Sequence, residues 1–105
     1  RRQECIVILE HARLSVLPGR GDEFLAAFSE ASSIIRSMDG CRSVRLLRCL
    51  ETCDEFLLLV EWETLEHHTV GFRQSESYQR WRELLHHFYD PFPEVLHYEA
   101  VLLIE

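Results

Sequence analysis

The residues able to do chemistry in this 105-residue chain gather in its second half. Trp62 closes the apolar run that begins at Phe56 and holds Leu58. His67, His68, Phe72 and Arg73 follow, and then Trp81, Arg82, His86, His87, Phe88 and Tyr89 lead into Asp90-Pro91-Phe92-Pro93. An apolar strand that ends in tryptophan and runs into helices carrying histidine and arginine can build a hydrocarbon-lined cavity with a few titratable groups on its wall. Such a cavity suits a small aromatic ligand. Histidine, with an unperturbed pKa of about 6.5, is matched to proton transfer at neutral pH.

Helical geometry sorts these candidates. From Glu76 to Tyr89, residues Tyr78, Trp81, Leu84, Leu85 and Phe88 share one face, and Glu76, Arg80, Glu83 and His87 share the opposite one. Arg82, His86 and Tyr89 fall on the border, where a polar head can turn inward over a cavity or outward into water. In the shorter helix before it, Leu65, His68, Thr69 and Phe72 form the inner stripe, which leaves His67, Val70 and Gly71 outside. His68 near Trp62 reads either as a satisfied core histidine or as an acid/base, and Trp62 either as packing or as a stacking surface. His11 on the first strand and His97 on the last lie on the polar parity, so either can reach the cavity or a subunit seam.

The elements that must position these groups follow from periodicity. Cys5 to Val16 is a strand stopped by Leu17-Pro18-Gly19. A helix starts with Asp22 as N-cap, carries Phe24, Phe28, Ala31, Ile35 and Met38 on one stripe, and stops at Gly40. Cys41 to Glu51, with Val44, Leu46 and Leu50 on one side, pairs through a Thr52-Cys53-Asp54 turn with Glu55 to Glu63 as a hairpin. Thr64 caps the short helix to about Arg73, Ser75 or Ser77 opens the next, and Asp90-Pro91 ends it. Glu94 to Ile104 is the last strand.

Strand, helix, strand, strand, helix, strand is the ferredoxin-like βαββαβ plan: an α+β fold with a four-stranded antiparallel sheet and both helices on one face. The expectation is a single domain over residues 4–105. Several strands are apolar on both parities, so the face without helices also needs a cover. A homodimer packed sheet against sheet supplies it.

Composition narrows the partners. A formal charge of -7, with every cation an arginine scattered among more numerous carboxylates, argues against nucleic acid, which needs a basic face. The longest apolar run is far below the roughly 20 residues that cross a bilayer, so no membrane partner is expected. With no leader-like start, the chain reads as cytoplasmic. Cys5, Cys41, Cys49 and Cys53 lack Cys-x-x-Cys spacing and read as free thiols, mostly buried. Gly19-Arg20-Gly21-Asp22 lacks the third glycine of a dinucleotide fingerprint, and adjacent histidines diverge by about 100° on a helix, so neither a cofactor nor a metal is expected.

Val16-Leu17-Pro18-Gly19, Met38-Asp39-Gly40-Cys41, the run from Phe56 to Thr64, and His68-Thr69-Val70-Gly71-Phe72-Arg73-Gln74-Ser75 with Tyr78 and His97-Tyr98 carry a resemblance over nearly the whole chain. It resembles the antibiotic biosynthesis monooxygenase family, whose small ferredoxin-like subunits form dimeric α+β barrels. The resemblance implies an oxygenase that needs no flavin, haem or metal, in which a bound phenol or anthrone is deprotonated, gives an electron to dioxygen and becomes a quinone. By that resemblance Trp62 matches a tryptophan beside the substrate, His68 a position that is polar in some members, and Arg82 a position that is arginine in some. Leu58 stands where polyketide-oxidising members carry asparagine, and Gly71 where many relatives carry histidine. The haem-degrading branch needs an asparagine, and this chain has none.

The expected function is therefore a cofactor-independent monooxygenase acting on a small phenolic, quinol or anthrone. His68 is the proton acceptor, Arg82 stabilises the anion, and Trp62 stacks on the ring. Phe72, Tyr89, His86, His11, Leu58 and Trp81 are the expected substrate contacts. The alternatives are a non-catalytic dimer that sequesters an aromatic metabolite, and a bare dimerisation module with a collapsed pocket.

Overall fold

The computed structural model describes residues 7–102, and the expectations placed on Cys5, Ile6 and Ile104 lie outside the described residues. The strands are β1 (Ile8–Ser15), β2 (Cys41–Arg48), β3 (Glu55–Trp62) and β4 (Val95–Glu99). The helices are α1 (Gly21–Arg36) and α2 (Glu76–Leu85), with a π-helical turn (His67–Phe72) before α2 and a 3₁₀ turn (His86–Phe88) after it. All neighbouring strands pair antiparallel in the order β2-β3-β1-β4, which is the ferredoxin-like arrangement.

The pleat sends alternate side chains to opposite sides. Ala12 and Leu14 of β1 and Phe56, Leu58, Val60 and Trp62 of β3 turn towards the helices and are buried. Against them lies the α1 stripe of Phe24, Phe28, Ala31 and Ile35, all buried, with Met38 partly covered behind it. Phe24 is the hub, its ring centroid 5.0 Å from Phe56, 5.6 Å from Phe88 and 5.8 Å from Phe28. Phe28 in turn meets Trp81 of α2 edge-on at 5.8 Å, which locks the two helices together over the sheet. The opposite side of the sheet carries Leu57, Leu59, Leu47, Leu96 and Tyr98 with no helix above them.

Element boundaries differ from expectation: α1 ends at Arg36, short of Gly40, and α2 at Leu85, with a 3₁₀ turn before Asp90. α1 begins at Gly21 with Arg20 in the cap position, so Asp22 sits in the first turn, where its charge still opposes the positive end of the helix dipole. β2 ends at Arg48 and Leu50 is 94% exposed instead of facing the core. The reason is that Cys49 N–H donates to Glu55 C=O at 2.8 Å and Glu55 N–H to Thr52 C=O at 3.0 Å, which turns the chain before Leu50 can pair. β4 stops at Glu99, with Ala100, Val101 and Leu102 exposed beyond it. Cys41, Cys49 and Cys53 are free thiols, but the first two are half-buried and Cys53 is exposed. Among the described residues no helix is long and apolar enough to cross a membrane.

Gly40 ties the fold to the functional region. Its φ of +81° is the left-handed conformation that glycine adopts without strain, and its C=O accepts the Glu63 N–H at 2.8 Å. A Cβ on Gly40 would lie 2.2 Å from the His67 ring, whereas a Cβ on Gly19, at a similar φ of +79°, would meet nothing within 4 Å. Gly19→Ala is expected to cost the backbone penalty alone, about 1–2 kcal/mol. Gly40→Ala is expected to cost measurably more, because the π-helical turn must also shift; chemical denaturation of the two variants checks the difference.

Candidate functional site

A cavity of about 330 Å³ lies between the helix-facing side of the sheet, the π-helical turn and α2. Its floor is Glu10, Ala12 and Leu14 of β1, Leu58 of β3 and Val95 of β4. Its sides are His68, Phe72 and Arg73 from the π-helical turn and its end, Tyr78 and Trp81 from α2, and His86, Tyr89, Phe92 and Pro93 from the segment that follows. That segment is held at the end of β1 by Leu17 N–H donating to Phe88 C=O at 2.9 Å and Asp90 N–H donating to Ser15 C=O at 2.8 Å. Phe92, 62% exposed, stands at the rim. A dry cavity of about 150 Å³ already admits benzene, so this larger volume has room for a small aromatic molecule of one to three rings.

The polar end of the cavity is built on Glu10, which is only 4% exposed. Trp62 Nε1–H donates to Glu10 Oε1 at 2.9 Å, and His68 Nε2 lies 3.4 Å from the same oxygen. On its other side His68 Nδ1 meets His97 Nε2 at 2.8 Å. The imidazole of His68 stacks on the Trp62 indole, with centroids 5.2 Å apart and planes 16° from parallel. Glu10 and His97 are direct cross-strand partners, so both point to the same side of the sheet.

How these groups are delivered is local. Thr64 Oγ1 accepts the His67 N–H and starts the short helical segment, as its capping role predicts. Inside it, Arg73 N–H donates to His68 C=O at 3.1 Å, a bond that spans five residues rather than four. The wide turn brings Arg73 to the edge of the cavity, while Leu65, ahead of the turn, is 39% exposed. Ser75 then caps α2, its hydroxyl accepting the Tyr78 N–H at 3.2 Å.

Burial dominates the electrostatics. It pushes the Glu10 carboxyl up to about 7, against the Trp62 N–H and the Arg73 charge, which favour the ionised form. It pushes His68 down to about 3, aided by Arg73 and by His97. The same cause, desolvation of the charged form, lowers His86 and His97 and raises the Tyr89 phenol. The Glu10 and His68 contact is therefore the approach of a carboxyl to a neutral imidazole rather than an ion pair, and near pH 7 it is Glu10 that stands between its two charge states.

His68, Phe72, Tyr89, His86, Leu58 and Trp81 all reach the cavity wall. Trp62 is fully buried behind it, one face taken by His68 and its N–H by Glu10, so its aromatic surface is not offered to a ligand. Arg82 is exposed on α2 and does not line the cavity; the arginine that does is Arg73, itself exposed at the cavity edge, and its charge acts on Glu10. His11 lies on the open side of the sheet against Tyr98, at 5.5 Å, because it is one residue out of phase with Glu10. His97, of the same expected polar parity, faces the helices. Glu10 had a signal in the sequence: it is the lone carboxylate on the parity of Ile8, Ala12 and Leu14. Among the described residues no group of three or more His, Cys, Asp or Glu could hold a metal ion.

The antibiotic biosynthesis monooxygenase profile matches residues 7–84. The chain belongs to this family. It is 48% identical over 95 residues to the uncharacterised protein YczJ of Bacillus subtilis strain 168, covering 90% of this chain and 100% of that one. A candidate antibiotic biosynthesis monooxygenase of Bordetella bronchiseptica superposes with a TM-score of 0.87 at 37% identity, over 92% of this chain and 99% of that one. Rv0793 of Mycobacterium tuberculosis shares the fold at a TM-score of 0.73 and 20% identity, over 94% and 97% of the two chains. The matched region holds Glu10, Trp62, His68 and Arg73, while Tyr89, Phe92 and His97 lie beyond it.

The charge states carry a stability consequence. A carboxyl whose folded pKa is raised is protonated in the folded state and ionised in the unfolded chain between its two pKa values. Its contribution is therefore fully present below pH 4.5 and lost as pH rises through about 7. Removing the titration with Glu10→Gln should accordingly look more favourable, relative to the wild type, at pH 7.5 than at pH 4.5. The shift is on the order of 3 kcal/mol at about 1.4 kcal/mol per pH unit. Urea denaturation of both proteins at the two pH values measures it, and a pH-independent difference would contradict the raised carboxyl.

Proposed function

We propose that the cavity binds a small phenol, quinol or anthrone and that the protein oxidises it with dioxygen without a cofactor. The observation that carries this reading is a buried Glu10/His68 pair at one end of an aromatic-lined cavity, with Arg73, whose charge acts on Glu10, at the edge of the same cavity. The pair accepts the hydroxyl proton, and Arg73 favours the phenolate that forms. The phenolate gives an electron to dioxygen, and the radicals combine at a ring carbon. Loss of that carbon's proton with cleavage of the O–O bond then yields the quinone and water. A bound ring would itself displace water from the Leu58 and Phe72 surfaces beside these intermediates. Family membership and the fold shared with the Bordetella protein support this reading over an unrelated use of the cavity.

Oxygen uptake is expected with at least one member of a panel of hydroquinones, naphthols and anthrones in cofactor-free buffer. His68→Ala should lower it by about 10²-fold or more. No uptake across the panel, or full turnover in the variant, would remove the enzymatic assignment. Thermal stabilisation by the same compounds without uptake would instead mark a binding protein, a reading that the apolar Leu58 floor favours.

We also propose that a second copy covers the open face of the sheet. Leu47, Leu57, Leu59, Leu96 and Tyr98 form an apolar surface there that a lone subunit leaves in water. Leu57 lies opposite both Arg13 and Leu47, so Leu57→Arg places like charges side by side at the seam. Sedimentation at micromolar concentration should give a dimer for the wild type and a monomer for this variant; a monomeric wild type would refute the pairing.

A further inference from the structure

Both ring nitrogens of His68 are engaged, and each with a titratable partner. Nε2 faces Glu10 Oε1 at 3.4 Å, and Nδ1 meets His97 Nε2 at 2.8 Å. Anchoring a core histidine needs only a backbone carbonyl or a hydroxyl. A second imidazole in that place creates a continuous path from the cavity floor to β4, the outermost strand on that side of the sheet, where His97 is only half-buried. The three side chains come from three elements, β1, the π-helical turn and β4, and the β1/β4 register holds the two ends of the path opposite each other.

We propose that Glu10 is the group that takes the proton from the bound phenol, and that His68 and His97 carry it between Glu10 and the solvent at the β4 edge. This rests on the reading of the cavity as a phenol site. In the outward direction the ionised Glu10 carboxylate accepts the substrate O–H proton and passes it to His68 Nε2. His68 Nδ1–H moves to His97 Nε2, and His97 Nδ1–H goes to water. Both imidazoles begin and end neutral, with their tautomers exchanged. Oxidation of a phenol by dioxygen to a quinone and water consumes as many protons as it releases, because the departing oxygen must be protonated when the O–O bond breaks. The inward transfer that supplies this proton restores both tautomers, so one catalytic cycle resets the path.

The ionisable groups bearing on Glu10 are His68 and Arg73 from the π-helical turn, His97 from β4, Tyr89 from the segment after α2 and, through its charge, Cys41 of β2. A burial-raised carboxyl that titrates near neutrality has the affinity a reversible acceptor needs, while a neutral His68 can pass a proton without holding a charge.

The test uses 4-nitrophenol, whose ionisation is visible by absorbance, with the wild type, Glu10→Gln, Glu10→Asp and His97→Ala. The wild type should bind the probe with part of it converted to phenolate. Glu10→Gln should bind it with that fraction reduced at least about tenfold, and Glu10→Asp should recover part of it. In His97→Ala the equilibrium fraction should stay near the wild-type value. Proton exchange with a pH indicator in stopped flow should slow by about tenfold or more and be restored by added imidazole, which a merely structural role would not permit. An unchanged phenolate fraction in Glu10→Gln, or unchanged exchange in His97→Ala, overturns the relay even if oxygen uptake is found. Absence of oxygen uptake with a working relay overturns only the oxygenase reading. Failure of the wild type to bind the probe removes the phenol site and the relay together.

Discussion

The arrangement of this molecule turns on a carboxyl group placed where a hydrocarbon would be expected. Glu10 occupies the helix-facing side of the central strand β1, between Ile8 and Ala12, and an unsatisfied carboxylate there would be costly. The cost is met by the Trp62 N–H, by His68 and by partial neutralisation. Each compensation constrains another element. Trp62 must end β3 with its indole edge towards β1, His68 must stack on that indole, and the π-helical turn must wind so as to deliver His68. The greasy part of the core, centred on Phe24, holds the layers together, while the polar end fixes the register of what lies between them.

The architecture was legible because its signals are repeated. The α1 stripe supplies several independent apolar positions, and the unbroken apolar run of β3 from Phe56 to Val60 marks a strand. His68 and Phe72 were readable as inward residues by spacing, as were the aromatic residues of α2 and the segment that follows. The site was less legible because it depends on single departures from pattern. Arg73 needs a bond spanning five residues, which periodicity at 3.6 residues per turn cannot foresee. Arg82 sat on a helix border, where sequence leaves inward and outward rotamers equally open. Glu10 broke the apolar parity of β1 in plain view, but among eighteen acidic residues one carboxylate attracts little notice until its burial is known.

The two sides of the sheet are put to different uses. The helix-facing side combines core and cavity, and so mixes Leu58 and Ala12 with Glu10 and His97. The other side carries leucines interspersed with His11, Arg13 and Glu61, a mixed composition unlike that of the core. Because successive residues of β1 alternate between these sides, the carboxylate of the cavity and the imidazole of the open face are chain neighbours whose surroundings have nothing in common.

The wide turn between β3 and α2 has a further implication for how related chains diverge. A five-residue hydrogen-bonded ring behaves as an ordinary helical turn holding one surplus residue. Loss of a single codon anywhere from Val70 to Gly71 would relax it to regular winding, swing Arg73 away from the cavity edge and leave the sheet beneath untouched. Short insertions and deletions at this junction, rather than replacements in the sheet, are therefore an economical route by which one scaffold gains or sheds an arginine at the cavity edge.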